Sequence, residues 1–463
     1  MPSSHYKTIE ELGQMLRSGE TTPTQLAREA MERLDSIGRQ LNAVVTITEE
    51  RAMREAELAE REMSEGIDRG PLHGISYGAK DLLAAVGYPT SWGAAPFMDQ
   101  VFDEDATAIR KLREAGAVLV AKLAMIELAG GAGYEQPNAS FTGPCKVPWN
   151  QNAWSGGSSS GSGASVSSGC IPFAIGSETA GSIHSPANNC GVAGLRPTFG
   201  RVSRAGAMAL SWTMDKLGPL ARTAHDCGLV LDAIAGKDPA DPSSISENYH
   251  YPSPALPKRP YRFAVIESEL EEAQSEVVAN FRASVEVLSQ YGSVEAVELP
   301  EHPYSEVTAL VIRAEMASIF EDDIRSGKLR ELTAPEDRIN PYTALAIPAV
   351  DYLRAMRLRG AICRDIDALF SGYDAILTPT MPRVAPPIDQ SFNAFDSSRR
   401  RRTFGSAVNI TGVPGIAVIN GFGENGLPTS LCISGRAGTE NVLIEIAKTF
   451  QAETDWHTMT PDI

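Results

Sequence analysis

Between residues 155 and 185 the chain reads SGGSSSGSGASVSSGCIPFAIGSETAGSIHS, and this run limits the possible folds more than any other part of the sequence. Glycine is costly to order and serine competes for backbone hydrogen bonds, so neither is selected to fill a core. The composition therefore predicts that no core helix or strand uses the run for packing alone and that something approaches its backbone closely. A phosphate-cradling loop needs GxxxxGK[ST], and the lysine is missing. A flexible linker only connects. This run instead enters an apolar, strand-like segment near Pro172 to Ile175 and then a second small-residue loop, Gly176 to Ser182.

Nucleophilic catalysis is the remaining reading, and it has two forms. Gly157-Ser158-Ser159-Ser160-Gly161 fits GxSxG, the strand-turn-helix elbow that would make Ser159 the nucleophile. That arrangement needs a downstream acid and histidine, and His184, His225, His250, His302 and His457 carry no surrounding motif. A serine without a histidine base needs another proton acceptor, and a lysine kept neutral by burial or cationic neighbours can serve. Lys80 ends the apolar segment GISYGAKD, so it is expected to emerge at a sheet edge, unless it simply pairs with the adjacent Asp81.

The rest of the chain predicts an α/β architecture. Thr22-Pro23-Thr24-Gln25 has capping-box spacing with proline at the first helical position, and Leu26, Ala30, Leu34 and Ile37 follow at helical spacing. Thr48 to Ser64, Asp105 to Ala115, Ala224 to Ala235 and Asn441 to Thr449 also read as helices. They alternate with short apolar segments at Ile75 to Ala79, Val118 to Ala121, Phe263 to Ile266 and Ala375 to Leu377. One domain is expected over 1–463: a helical cover to residue 70, a catalytic core over 71–235, a proline-rich connector over 236–260 and the remainder over 261–463. A formal charge of −17 opposes nucleic acid and anionic membranes, and Arg399 to Arg402, the dense basic run, reads as a solvated segment. Six cysteines lack CxxC or metal-ligand spacing, so reduced thiols and no metal or cofactor are expected. With no signal-like or membrane-spanning stretch, the expected placement is cytoplasmic.

Lys80 does not stand alone. PLHGISYGAKD at 71–81, GGSSSGS at 156–162 and GSETAGSI at 176–183 together resemble the amidase signature family. The likeness continues through CGVAGLRPT at 190–198, GRVS at 200–203, DAILTPT at 374–380 and NITGVPG at 409–415, in the family's order. It implies one large twisted mixed β-sheet covered by α-helices on both faces. It also implies a triad of Lys80, Ser158 (the serine after a cis peptide) and nucleophile Ser182. An oxyanion hole would come from the amides of Thr179, Ala180, Gly181 and Ser182, with Ser159 as a hydrogen-bonding neighbour. Ala129, Gly130 and Gly131 would form an open wall facing that hole.

Three departures from the family pattern, Glu178, Ala180 and His184, touch the triad's surroundings, and His184 is a rival base. Met208, Leu210, Trp212 and Met214 alternate as either an apolar pocket or plain core. The sequence is similar to bacterial and metagenomic amidases that cleave aryl amides and carbamates, including urethane linkages. The expected ligand is thus a small amide, aryl carbamate or ester, handled by a monomer or homodimer. An amidotransferase A subunit is the alternative enzyme, but APEDRINPYTALAIPAVDYLRAMRLR at 334–359 lacks the Arg-Arg-Ile-x-x-Gly motif and tyrosine-rich run those subunits carry there. A non-catalytic binding subunit is a further alternative.

Overall fold

The computed structural model describes residues 4–253, 259–395 and 403–463. Arg399 to Arg402 and Pro254 and Pro257 of the connector lie outside these residues. Seven helices precede residue 240: α1 Ile9–Ser18, α2 Pro23–Arg33, α3 Glu49–Ser64, α4 Thr107–Glu114, α5 Ser160–Ser167, α6 His184–Cys190 and α7 Ala224–Ile234. Thr22 Oγ1 caps α2 by accepting from Gln25 N at 3.3 Å. The reciprocal capping box forms instead at α1, where Thr8 Oγ1 accepts from Glu11 N and the Glu11 carboxylate accepts from Thr8 N.

The strands are β1 Val44–Ile47, β2 Ser76–Lys80, β3 Val118–Leu123, β4 Lys146–Val147, β5 Asn150–Trp154, β6 Phe173–Glu178, β7 Ala193–Arg196, β8 Lys216–Ala221, β9 Tyr261–Val265, β10 Gly292–Ala296, β11 Ala375–Pro379, β12 Gly415–Phe422 and β13 Pro428–Ser434. Eleven of them form one mixed sheet in the order β1-β3-β2-β6-β8-β7-β12-β13-β11-β9-β10. Pairing is parallel for β3-β2-β6 and for β11-β9-β10, and antiparallel between these groups.

Side chains alternate between two apolar layers, as a strand's period of two requires. Val118 and Val120 join Ala30 and Met31 of α2 and Ala52 and Ala56 of α3 on one face. Leu119 joins Leu12 of α1, Leu231 of α7 and Phe450 of helix Glu440–Ala452 on the other. Fully burying one such aliphatic side chain contributes about 1.5–3 kcal/mol, so these layers hold the sheet that presents the site.

The Gly/Ser run includes a core helix, every residue of α5 being buried, and a backbone does approach it closely. The low helix propensity of glycine is overridden by tertiary contact. A Cβ on Gly161 would lie 2.2 Å from the Ala43 carbonyl oxygen and 2.6 Å from Ala124 N, so only glycine lets these backbones meet.

Candidate active site

β2 and β6 run parallel, so Lys80 and Glu178, their last residues, emerge at the same edge. β8 starts at that edge, with Lys216 opposite Glu178. The polypeptide leaves β6 as Thr179-Ala180-Gly181-Ser182 and turns into α6. Glu178 fixes both ends of this loop: its buried carboxylate accepts from Ile183 N at 2.8 Å and His184 N at 3.0 Å, beyond the loop. Gly181 has φ +102°, a conformation that favours glycine, and its absent side chain faces open space. None of the described hydrogen bonds uses the amides of Ala180, Gly181 or Ser182, or the Ser182 hydroxyl.

The segment before α5 crosses the same edge. Its Gly157–Ser158 peptide is cis. Ser158 O accepts from Ile126 N at 3.1 Å, and Ser159 N donates to Ser182 O at 3.3 Å, which sets the two serine loops side by side. Lys80 Nζ donates to Ser158 Oγ at 2.7 Å and to Ser177 Oγ at 2.9 Å, with the lysine fully buried. Burial pushes its pKa down to about 7, against the opposing pull of the Asp215 and Glu178 carboxylates. A lysine in that state can take a proton from a serine hydroxyl near neutral pH.

Lys80 does not pair with Asp81. Asp81 Oδ1 lies 2.7 Å from Lys122 Nζ on β3, and its other oxygen takes the amide and hydroxyl of Ser91. Ser159 does not occupy an exposed elbow. It is buried, and its Oγ donates to Ser177 O at 3.1 Å and accepts from Ser177 N at 3.2 Å, so it braces the serine that touches Lys80.

His184 is placed structurally as well. Its Nε2 faces the Gly415 carbonyl oxygen at 3.0 Å and so carries the proton, while Nδ1 lies 3.4 Å from an Arg196 nitrogen. Burial disfavours its charged form, yet Glu178 outweighs that and raises its pKa. Arg196, from β7, bonds Glu178 at 2.8 Å and sets its guanidinium beside the His184 ring. Burial opposes ionisation of Glu178, but His184, Arg196 and Lys216 together hold its carboxyl far below the usual range.

Sequence reasoning missed Ser177, Asp215 and Lys216. Asp215 accepts from Thr179 Oγ1 at 2.6 Å and from Leu210 N and Ser211 N at 2.7 and 2.9 Å. Lys216 Nζ reaches Thr179 O at 3.3 Å and Asn409 Oδ1 at 3.2 Å, and burial brings its pKa down to about 7. The signal was present as an acid and a lysine heading the apolar strand KLGPLA, where neither residue is expected to be buried without a partner.

The surrounding walls differ from expectation. Ala129 lines a cleft of about 160 Å³ with Ser177, Thr179, Met208, Leu210 and Trp212, whereas Met214 is buried in a separate cluster. Gly130 and Gly131 do not form an open wall. A Cβ on either would collide with the Tyr134 ring or with Leu210, which already occupy the space. A larger cleft, about 570 Å³, includes Ala180, Gly181, His184 and Arg196.

The Amidase family model matches residues 25–444. The chain is 35% identical to the A subunit of the Glutamyl-tRNA(Gln) amidotransferase of Roseiflexus sp. (strain RS-1), with 99% of each chain covered. It superposes with a TM-score of 0.89 and 28% identity on an inhibitor-bound chain of a vestigial complex that reveals the evolutionary origins of an s-triazine catabolic enzyme, covering 96% of this chain and 98% of that one. Against the native peptide amidase of Stenotrophomonas maltophilia the TM-score is 0.82 at 30% identity, with 97% of each chain covered.

Proposed function

The chain belongs to the amidase signature family, a class of carbon–nitrogen hydrolases, and from that premise we propose that it acts alone on small amides and aryl carbamates, with esters as side substrates. The observation that carries this reading is the buried Lys80 amine, pushed to about 7 and 2.7 Å from Ser158 Oγ. Ser182 Oγ attacks the carbonyl carbon and passes its proton to Ser158, whose own proton moves to the neutral Lys80 amine across the same contact. The negative oxygen of the tetrahedral intermediate is held by the amides of Thr179, Ala180, Gly181 and Ser182. Collapse breaks the C–N bond, and the departing amine takes a proton back from Lys80 through Ser158. Water then releases the acyl group of an amide, or the alkoxycarbonyl group that C–N cleavage of a carbamate leaves, from Ser182 by the same relay.

No cofactor takes part in this scheme, and a carbamate enters it unchanged because it differs from an amide only beyond the carbonyl. Among the described residues no helix is long and apolar enough to cross a membrane. A cytoplasmic monomer or homodimer, without nucleic acid or membrane as partner, completes the reading. The test is hydrolysis of a 4-nitroanilide and an aryl carbamate. Ser182→Ala is expected to lose more than about 10³-fold in kcat with its thermal midpoint retained, while Ser159→Ala loses about tenfold or less because it removes only a brace. Equal activity in wild type and Ser182→Ala sinks the nucleophile assignment.

The 35% identity, over the whole chain, to an amidotransferase A subunit favours a second reading, release of ammonia from glutamine within a complex. Glutamine hydrolysis well above anilide hydrolysis, or inactivity until a partner is added, selects it.

A further inference from the structure

Lys80, Lys122 and Lys216 are the buried lysines among the described residues. Lys80 meets Ser158, and Lys122 pairs with Asp81 at 2.7 Å. Lys216 has no ion pair among the described residues and directs its N–H groups to two neutral acceptors, Thr179 O at 3.3 Å and Asn409 Oδ1 at 3.2 Å. Burying an amine in this way is costly, and an apolar side chain of similar length would fill the space without that penalty. Resting on the proposed role of the Thr179–Ser182 loop, we propose that Lys216 is a positioning residue: by donating to the Thr179 carbonyl it orients and polarises the Thr179–Ala180 peptide, so that the Ala180 N–H becomes a stronger donor to the oxyanion.

The peptide geometry carries the effect across. Thr179–Ala180 is trans, so its carbonyl and N–H point in opposite directions. With the carbonyl held by Lys216 in the interior, the Ala180 N–H is directed away from that lysine. Ala180 is exposed, lines the large cleft, and gives its amide to no described hydrogen bond. Hydrogen bonds in series strengthen one another, because electron density drawn toward the carbonyl oxygen leaves the amide hydrogen of the same peptide more positive.

Both sides of the contact are fixed. β8 sets Lys216 opposite Glu178, the residue before Thr179, and Asp215 takes the Thr179 hydroxyl at 2.6 Å. On the other side Asn409, in helix Thr403–Thr411, donates its Nδ2 to Gly405 O at 2.9 Å, which turns Oδ1 toward the lysine. An amine has the two N–H groups required whether it is charged or neutral, so the contact persists through its titration.

The test compares wild type, Lys216→Met and Lys216→Gln in hydrolysis of a 4-nitroanilide and in inhibition by a trifluoromethyl ketone. Ser182 Oγ adds to the ketone carbon, the C=O π pair moves onto oxygen, and the serine proton passes through Ser158 to Lys80. The product is an oxyanion that stays in the hole. Removing a direct oxyanion donor costs about 10²–10³-fold in kcat, so losing this indirect support is expected to lower kcat about tenfold at each pH, with KM within about twofold. The ketone KI rises by the same factor in Lys216→Met, while the corresponding alcohol, which forms no oxyanion, keeps its KI. In Lys216→Gln, whose N–H donor reaches one atom less far, the changes have the same direction and are smaller; this variant carries the test should Lys216→Met not fold. Unchanged kcat and ketone KI, a parallel rise in KI for ketone and alcohol, or failure of both variants to fold overturns the positioning role and leaves the hydrolase reading intact. Absence of wild-type turnover on every amide and carbamate overturns both.

Discussion

Lys80 is expected to set the acid limb of the pH–rate profile. Burial pushes its pKa down to about 7 from the ordinary 10.5. A group titrating there is about one-tenth neutral at pH 6 and about nine-tenths neutral at pH 8, whereas an ordinary lysine would be neutral in only about three parts per thousand at pH 8. Since only the neutral amine accepts the serine proton, kcat/KM for a 4-nitroanilide should climb about eight- to tenfold from pH 6 to pH 8, with the slope of one proton. Asp215→Asn is the informative perturbation. Asp215 favours the charged lysine, so neutralising it moves the limb to lower pH. Its hydrogen bonds survive, because an amide oxygen can accept from Leu210 N and Ser211 N while its NH2 donates to the Thr179 hydroxyl. Lys216 is also pushed to about 7 and serves as the control: Lys216→Met should leave the limb in place. A flat profile between pH 6 and 8, or a limb that disappears with Lys216 and ignores Asp215, refutes the assignment.

Two stability predictions follow from buried charge. Glu178→Gln leaves Arg196 and His184 without their carboxylate in the interior, so unfolding in urea should lose about 3–5 kcal/mol; a loss under about 1 kcal/mol would show that the pair is not what closes the loop. Asp337 lies against Glu127, and burial with that neighbouring charge holds its carboxyl well above the usual range, so the folded chain keeps a proton that the unfolded chain releases. Fewer protons on the unfolded side mean that stability falls as pH rises above the ordinary carboxylate range toward the raised folded value. Asp337→Asn removes this slope, and urea midpoints at pH 5 and pH 8 should show wild type losing ground to the variant at the higher pH.

Much of the local structure was legible because its signals are local. The apolar stripe of α2 follows from side-chain period alone, the short apolar run of β3 marked a buried strand, and Lys80 stood out as a cation closing an apolar strand. Long-range pairing was not legible. Nothing in the local pattern of MDKLG says that β8 lies antiparallel to β6 and so delivers Asp215 and Lys216 beside Thr179. The Gly/Ser run announced a close approach without naming its partners, since the backbones that select glycine at position 161 come from Ala43 and Ala124, far away in sequence. The ring cluster of Trp154, Tyr134 and Phe392 was not legible either, because only the fold gathers those side chains.

The close backbone contacts of α5 also bear on how this enzyme can be altered. A helix whose neighbours are main-chain atoms offers selection almost no vocabulary: at Gly161 every other residue collides with peptide groups that cannot rotate aside. Variation introduced at Gly161 is therefore expected to yield mostly chains that never assemble a site. Diversity placed at the cleft-lining Met208, Leu210 and Trp212 leaves those contacts untouched and is expected to change which molecules fit. Inheritance of the chemistry and divergence of the clientele are thus assigned to separate parts of the chain.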